Sequence, residues 1–93
     1  MKNKEFKRKF EGDFSELRKI INSWELIPGS PSDEFDDLNH RILSQLYKEV
    51  DYEKVERILK SELTSYYGLF NYEFESKKIT ESIREWWNKK LMF

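Results

Sequence analysis

The sequence predicts an all-α fold, a single domain built as an irregular bundle of four to five helices. Apolar residues recur at helical spacing in four separate segments of the chain. There are only 3 glycines and 2 prolines, whereas a strand-rich fold would need a turn about every 8–12 residues. The length of 93 residues suits one domain with a small core. These three observations exclude a second domain and disfavour a β fold.

The composition is that of a folded, reduced and soluble protein, which we expect in the cytoplasm. Aromatic residues make up 16% of the chain, and disordered chains lack such rings. The absence of cysteine excludes disulfides, thiolate nucleophiles, Cys-type zinc sites and iron–sulfur clusters. No apolar run approaches about 18 residues, so we expect no membrane span. Residues 1–9 are not followed by an apolar segment, so we expect no secretory signal.

The first helix is expected to begin after Asp13, which can act as its N-cap and form a capping box with Glu16. Residues 1–12 would then be a basic arm or a short helix, and residues 13–93 the helical domain. Pro28 ends this helix because it disfavours helical geometry in the residue before it. The apolar stripe of the helix comprises Phe14, Leu17, Ile20, Ile21 and Trp24.

The second and third helices have recognisable start signals. Ser30 and Pro31 fit as the cap and first residue of the second helix, whose apolar stripe runs from Phe35 to Val50. The third helix is expected to start at Asp51 and to end at Gly68 in left-handed geometry. Its inner face would comprise Tyr52, Val55, Ile58, Leu59, Leu63, Tyr66 and Tyr67.

The last helix is expected to start near Asn71 or Tyr72 and to end at Leu91. Asn71 and Ser76 are both possible caps, so its start stays open. Residues 69–74 could instead be extended, because their aromatic residues alternate with polar ones. The apolar residues of this helix would be Phe74, Ile79, Ile83, Trp86, Trp87 and Leu91.

Charge is unevenly distributed although the formal net charge is only -1. Residues 1–10 hold five basic and one acidic side chain, and residues 11–56 hold twelve acidic and five basic ones. Residues 57–93 are again basic, with seven basic and five acidic side chains. The densest cluster is at residues 33–37, where four of five side chains are carboxylates. This density exceeds what a helix N-terminus needs to complement its dipole, and it predicts an acidic surface.

The sequence does not favour an enzyme, and we expect no cofactor. His40 is the only side chain whose unperturbed pKa lies near neutrality. Asp36 and Asp37 precede it by four and three residues, so a carboxylate–histidine pair or a divalent metal site on one helical face is the catalytic alternative. No further ligand lies at a motif spacing, no serine lies in a nucleophile-elbow pattern, and the glycines are too dispersed for a phosphate-binding loop.

Binding to nucleic acid or to a membrane surface is also disfavoured. Basic residues in the first ten positions alternate with Phe6 and Phe10, a pattern that suits a phosphate backbone. These basic residues are Lys2, Lys4, Lys7, Arg8 and Lys9. However, the pI of about 5.9 argues against nucleic-acid binding as the main task. We expect neither nucleic acid nor a membrane as partner.

A protein partner fits the acidic cluster better. Clustered carboxylates complement a basic surface and accelerate encounter with it. Adjacent residues of a helix point about 100° apart, so one ring of Tyr66–Tyr67 and one of Trp86–Trp87 should lie near the surface, where such rings bind partners well. The expected contacts are Asp33, Glu34, Asp36 and Asp37, with His40 and Glu25 at the margin.

Two segments together resemble a known family. Residues 20–24, Ile-Ile-Asn-Ser-Trp, and residues 28–36, Pro-Gly-Ser-Pro-Ser-Asp-Glu-Phe-Asp, are similar to the signature of the YugE-like domain of unknown function. The resemblance covers about residues 14–88. It departs after Trp24, where the family tends to have Asp-Pro and this chain has Glu25-Leu26. The resemblance implies a small, compact, all-helical bacterial protein of the cytoplasm and no established chemistry.

In type and size the chain also resembles immunity proteins that neutralise bacterial toxins, including those of contact-dependent growth inhibition. We therefore expect a non-catalytic module that binds a protein partner, a toxin domain such as a nuclease. The alternative is a structural or regulatory protein that acts by self-association through its aromatic helix faces, so a homo-oligomer stays open.

Overall fold

The computed structural model describes the backbone of residues 2–92 and the side chains of residues 7–92. Its four α-helices are α1 (Lys2–Ser23), α2 (Asp36–Lys48), α3 (Tyr52–Ser61) and α4 (Ser76–Met92). A π-helical turn (Glu62–Tyr66) extends α3, and a short 3₁₀ turn (Asn71–Glu73) precedes α4. Residues 2–92 contain no strand, so the all-α prediction is confirmed. No helix of this part of the chain combines the length and apolar character needed to cross a membrane.

Each helix packs on the next one, and α4 returns to contact α1. The buried core takes side chains from all four helices and from the connecting segments. Its members are Leu17, Ile21, Phe35, Leu38, Ile42, Leu43, Leu46, Val55, Leu59, Leu63, Phe74, Ile79, Ile83 and Trp87. Three residues that the sequence assigned to the apolar faces are instead exposed: Val50 (44%), Tyr66 (65%) and Leu91 (61%). Val50 lies beyond the end of α2, Tyr66 lies in the π turn, and Leu91 lies in the last turn of α4.

Helix α1 begins at Lys2, so the expected start after Asp13 is wrong. The helix continues through residues 2–12 because its apolar stripe also continues: the ring of Phe10 stacks on Phe14 at 6.2 Å and meets Tyr47 edge-on at 5.5 Å. Asp13 is no cap but a buried residue in the middle of this helix. The side chains of residues 2–6, which belong to the expected basic arm, lie outside the described side chains.

Helix α2 begins at Asp36, five residues later than expected. Tight turns occupy the preceding residues, with hydrogen bonds from Glu34 N to Pro31 O and from Asp36 N to Asp33 O, each 3.1 Å long. Ser30 is therefore not the cap of this helix. We attribute the later start to the burial of Phe35, which is only 2% exposed. Phe35 occupies the N-cap position without a side-chain cap bond, so packing and not a local capping signal places the start of the helix.

Helix α3 starts as expected, because the Asp51 carboxylate accepts hydrogen bonds from the backbone N–H groups of Glu53 and Lys54. Gly68 has a φ of 73°, which confirms the predicted left-handed residue after this helical segment. The last turn is wider than an α-helical turn, since Tyr67 N donates to Glu62 O five residues earlier.

Helix α4 begins at Ser76, and the earlier start at Asn71 is a separate 3₁₀ turn. Ser76 is the first helical residue, and its hydroxyl donates to Glu56 Oε2 at 3.0 Å. Phe74 is buried, as expected for a core residue, but it lies before the helix and not in it.

Candidate protein-binding surface

The acidic turn, residues 33–37, spans the end of the connection between α1 and α2 and the first two residues of α2. Asp33, Glu34 and Asp37 are exposed, whereas Asp36 is half-buried. Asp36 and Asp37 are the first two residues of α2, where negative charge is favourable at the positive end of the helix dipole. The structure therefore brings the four predicted carboxylates together at one end of α2.

Asp36 differs from the other three because it forms an internal ion pair with Arg18 of α1. The guanidinium donates from Nε to Oδ1 at 2.9 Å and from Nη2 to Oδ2 at 2.5 Å, a two-pronged arrangement. The hydrogen bond to Asp36, with the charges of Asp36 and Asp33, raises the pKa of Arg18. This side chain therefore joins α1 to α2, and its role as a partner contact stays a prediction.

The acidic turn is fixed to its surroundings by two further hydrogen bonds. Asn22 Nδ2 of α1 donates to Ser32 O at 2.9 Å, directly before the turn. The Tyr67 hydroxyl donates to Glu34 O at 3.0 Å. Because bonds from both α1 and the segment after α3 meet here, the exposed carboxylates are held on a preformed surface.

The charges of the acidic turn affect the pKa of the Tyr67 hydroxyl. Burial is the main effect that raises the pKa of Tyr67 to about 12. The negative charges of Asp37 and Glu34 act in the same direction, because they disfavour a phenolate beside them. A hydrogen bond with the backbone of Leu38 acts in the opposite direction. At neutral pH, Tyr67 is therefore a neutral donor to the acidic turn.

His40 lies one turn after Asp36 and is exposed. Its ring meets Phe10 at 5.7 Å with an angle of 62°. A shallow cleft of about 400 Å³ beside it is lined by Asp37, His40, Arg41, Glu62 and Tyr66. Within residues 7–92, no three His, Asp or Glu side chains are grouped so that they could hold a metal ion. Asp36 is bonded to Arg18, so the geometry does not assemble Asp36, Asp37 and His40 into one ligand set.

Glu25 lies on the other side of the connection from α1 to α2. It is exposed, and its φ of 48° places it in left-handed geometry directly after the helix. A groove of about 410 Å³ is lined by residues 25–32 together with Asn22 and Phe35. Glu25 therefore lines the same groove as Phe35 of the acidic turn, and its role as a marginal contact stays a prediction.

An exposed group of rings, which sequence reasoning largely missed, begins at the last residue of the π turn and extends to Tyr72. This aromatic patch comprises Tyr66, Phe70 and Tyr72, with exposures of 65%, 62% and 84%. The Phe70 and Tyr72 rings are parallel within 3° at a centroid distance of 5.5 Å. Only the exposure of one ring of the Tyr66–Tyr67 pair was predicted, and it is confirmed. The dense aromatic run from residue 66 to residue 74 was the available sequence signal.

Tyr67 joins the aromatic patch to the acidic turn. Its ring lies 4.9 Å from Tyr66 in an edge-on contact and 4.8 Å from buried Phe35. Its hydroxyl reaches Glu34 O, and Tyr66 shares a cleft with Asp37. The carboxylates and at least the first ring of the patch therefore belong to one continuous surface.

The tryptophans are engaged elsewhere. Trp87 is 4% exposed and belongs to the core. Trp86 is half-buried, and its Nε1 donates to Glu16 Oε1 at 3.1 Å. Trp24 is also half-buried against the core. The prediction that one ring of the Trp86–Trp87 pair lies nearer the surface is confirmed, but none of the three is an exposed ring.

This chain matches no protein-family model, no curated protein and no solved structure among those with which it was compared. The resemblance of residues 20–36 to the YugE-like domain stays a prediction.

Proposed function

We propose that this chain is a non-catalytic protein-binding module, and more specifically an immunity protein that binds and neutralises a cognate bacterial toxin in the cytoplasm. The observation that supports this proposal best is the preformed acidic turn. Bonds from Asn22 to Ser32 O and from Tyr67 to Glu34 O hold its backbone. Its carboxylates Asp33, Glu34 and Asp37 are exposed on this backbone. A rigid charged surface binds a partner at a lower entropic cost than a flexible one.

A nuclease domain is the kind of toxin that suits this surface. A nuclease must attract phosphates, so its active cleft is basic. Exposed carboxylates complement such a cleft, accelerate the encounter and exclude nucleic acid from it. No bond is made or broken by the inhibitor in this mechanism, because occupying the cleft is sufficient.

The proposal is tested with the toxin domain encoded next to the gene for this chain. The double variant Glu34→Lys, Asp37→Lys should reduce the association rate about tenfold or more at low salt, because it reverses two charges that steer the encounter. Asp36 stays unchanged because of its ion pair with Arg18. Stopped-flow binding and inhibition of the toxin are the measurements.

The matched control is Glu81→Lys, Glu85→Lys on exposed positions of α4, which changes the net charge equally. This control should bind almost as fast as the unmodified chain, and added salt should slow the unmodified chain more than the charge-reversed variant. Equal effects of both double variants would show that net charge alone matters and that the acidic turn is not the contact.

Self-association is the alternative function. Leu91 and Met92 at the end of α4 are 61% and 79% exposed, and exposed apolar residues favour contacts between copies. Light scattering distinguishes the two functions: a stable homodimer without any partner favours a structural or regulatory role, and a monomer that binds the toxin favours the immunity role.

A further inference from the structure

The three rings of the aromatic patch contribute little to the core. The half-buried rings elsewhere, such as Tyr47, Tyr52 and Tyr67, pack against the core, whereas Tyr66, Phe70 and Tyr72 are exposed beyond it. Burying a large apolar side chain stabilises a fold, and these three exposed side chains do not make that contribution. A surface with exposed rings concentrated in one short segment is typical of an interaction site.

The backbone beneath Phe70 and Tyr72 is fixed. Glu73 Oε2 accepts a hydrogen bond from Phe70 N at 2.8 Å, and Glu73 N donates to Phe70 O at 2.9 Å. Leu69 packs against the core on one side, and buried Phe74 does so on the other. The two exposed rings therefore project from a segment attached to the core at both ends, which limits the entropy lost when a partner binds.

The charges around the aromatic patch indicate which kind of partner can bind there. Residues 61–76 contain three glutamates and no lysine or arginine, but Arg41 pairs with Glu62 at 3.0 Å and Lys78 with Glu75 at 3.3 Å. The main negative charge beside the patch is therefore that of the acidic turn, which Tyr67 contacts through Glu34 O. A nucleic acid or an anionic membrane would bring its phosphates against these carboxylates, so the charge favours a cationic partner. Among cationic side chains, the arginine guanidinium stacks on ring faces and also bonds carboxylates through its planar fork.

The patch and the acidic turn fit within one interface. Tyr66 and Tyr72 are six positions apart in the chain, and even a fully extended chain spans no more than about 22 Å over this interval. A standard interface covers about 800 Å² on each partner, which corresponds to a patch roughly 30 Å across. One partner surface can therefore contact both the carboxylates and the rings.

We propose that the aromatic patch is the apolar part of the partner-binding surface and that it packs against arginine side chains of the partner protein. This inference rests on the proposed function. The rings supply the contact area that the acidic turn lacks, and the neighbouring carboxylates orient each guanidinium over a ring. Aromatic residues in such positions commonly carry most of the binding energy of an interface.

The first test uses short oligoarginine and oligolysine peptides of equal length as probes. The unmodified chain should bind oligoarginine about two- to fivefold more tightly than oligolysine, because a guanidinium stacks flat on a ring and bonds carboxylates through its planar fork, whereas an ammonium does neither. The ring protons of Phe70 and Tyr72 should shift in the NMR spectrum on titration with oligoarginine. Equal affinities for the two peptides, or unshifted ring protons, would overturn the inference.

The variant that tests the patch is Tyr72→Ser, which alters a side chain 84% exposed and so leaves the core intact. The preference for arginine should fall to about onefold, and the affinity for the cognate toxin domain should fall about tenfold, as for an interface hot spot. Met92→Ser, which removes another exposed apolar side chain, is the matched control and should change neither value.

The outcomes separate this inference from the proposed function. If the charge-reversed variant loses toxin binding and Tyr72→Ser retains it, the acidic turn is the contact and the role of the patch is refuted. If the charge-reversed variant retains toxin binding, the proposed function of the acidic turn fails, whatever the peptides show. Self-association of the unmodified chain that Tyr72→Ser abolishes would assign the patch to a second copy and overturn the arginine assignment.

Discussion

At the scale of single residues, Lys90 neutralises the buried carboxylate of Asp13. Asp13 is 3% exposed; its Oδ2 accepts from the Tyr47 hydroxyl at 2.6 Å, and its Oδ1 lies 2.8 Å from Lys90 Nζ.

Lys90→Met should lower the free energy of unfolding by about 1–3 kcal/mol, since a buried charge loses its counterion while water still reaches part of the pair. Lys89→Met, an exposed neighbour, should change it by no more than about 0.5 kcal/mol. Urea denaturation measures both, and equal values would refute a structural role of the pair.

The raised pKa values of Tyr47 and Tyr67 predict that the protein loses stability at high pH. Burial and the hydrogen bond to Asp13 raise the pKa of Tyr47, and burial raises that of Tyr67 to about 12. Unfolded tyrosine titrates near pH 10, so the unfolded chain loses protons first. This contribution is fully present below about pH 10 and is lost as pH rises toward the folded pKa, at up to about 1.4 kcal/mol per pH unit for each tyrosine.

Denaturation between about pH 8 and pH 11 checks this alkaline loss. Tyr67→Phe should reduce the slope because it removes one of the titrating hydroxyls, although it also removes the bond to Glu34 O. Tyr72→Phe, on an exposed side chain, is the control for the loss of a tyrosine hydroxyl as such. A free energy of unfolding that stays constant up to pH 11 would contradict the expectation.

At the scale of elements, two glycines should respond in opposite ways to the same substitution. Gly12 lies inside α1, and a Cβ atom there would meet nothing within 4 Å. Gly12→Ala should therefore stabilise the protein by about 0.5–1 kcal/mol, because alanine has the higher helix propensity. Gly68 has equal space but a φ of +73°, so Gly68→Ala should destabilise by about 1 kcal/mol through backbone strain. Thermal denaturation of both variants is the measurement, and shifts of the same sign would be inconsistent with this assignment.

Element types and apolar faces were largely predictable because they depend on local spacing, and several boundaries were not. The start of α3 was predicted because Asp51 bonds the backbone only two and three residues away. Asp13 looked equally suitable as a cap, but its partners Tyr47 and Lys90 come from other helices, which periodicity does not reveal. The start of α2 was missed because the burial of Phe35 outweighed the local signals at Ser30 and Pro31.

The sequence predicted which charged residues form the candidate site, but it did not predict all of their contacts. The carboxylates at residues 33–37 were visible as a charge cluster, but the pairing of Asp36 with Arg18 depends on how α1 packs on α2. The aromatic patch was missed because exposure is set by tertiary packing. Phe70 and Phe74 are alike in the sequence, yet one is 62% exposed and the other 8%.

At the scale of the whole molecule, polar bonds cross the contacts between neighbouring helices. Arg18 bonds Asp36 between α1 and α2, and Lys90 bonds Asp13 between α4 and α1. Ser76 bonds Glu56 between α4 and α3. Apolar contacts alone are not directional, so in a core this small these bonds help to specify one alignment of the helices.

Helix α1 separates opposite charges by a fixed distance. Exposed Lys7, Arg8 and Lys9 lie in its first half, whereas Asn22 fixes the acidic turn beside its other end. The 14 residues from Arg8 to Asn22 correspond to about 21 Å along the helix axis. A rigid body with charges divided in this way experiences a torque near a strongly charged molecule. The protein would therefore rotate during the approach, so that the acidic turn faces a cationic partner before the first atoms touch.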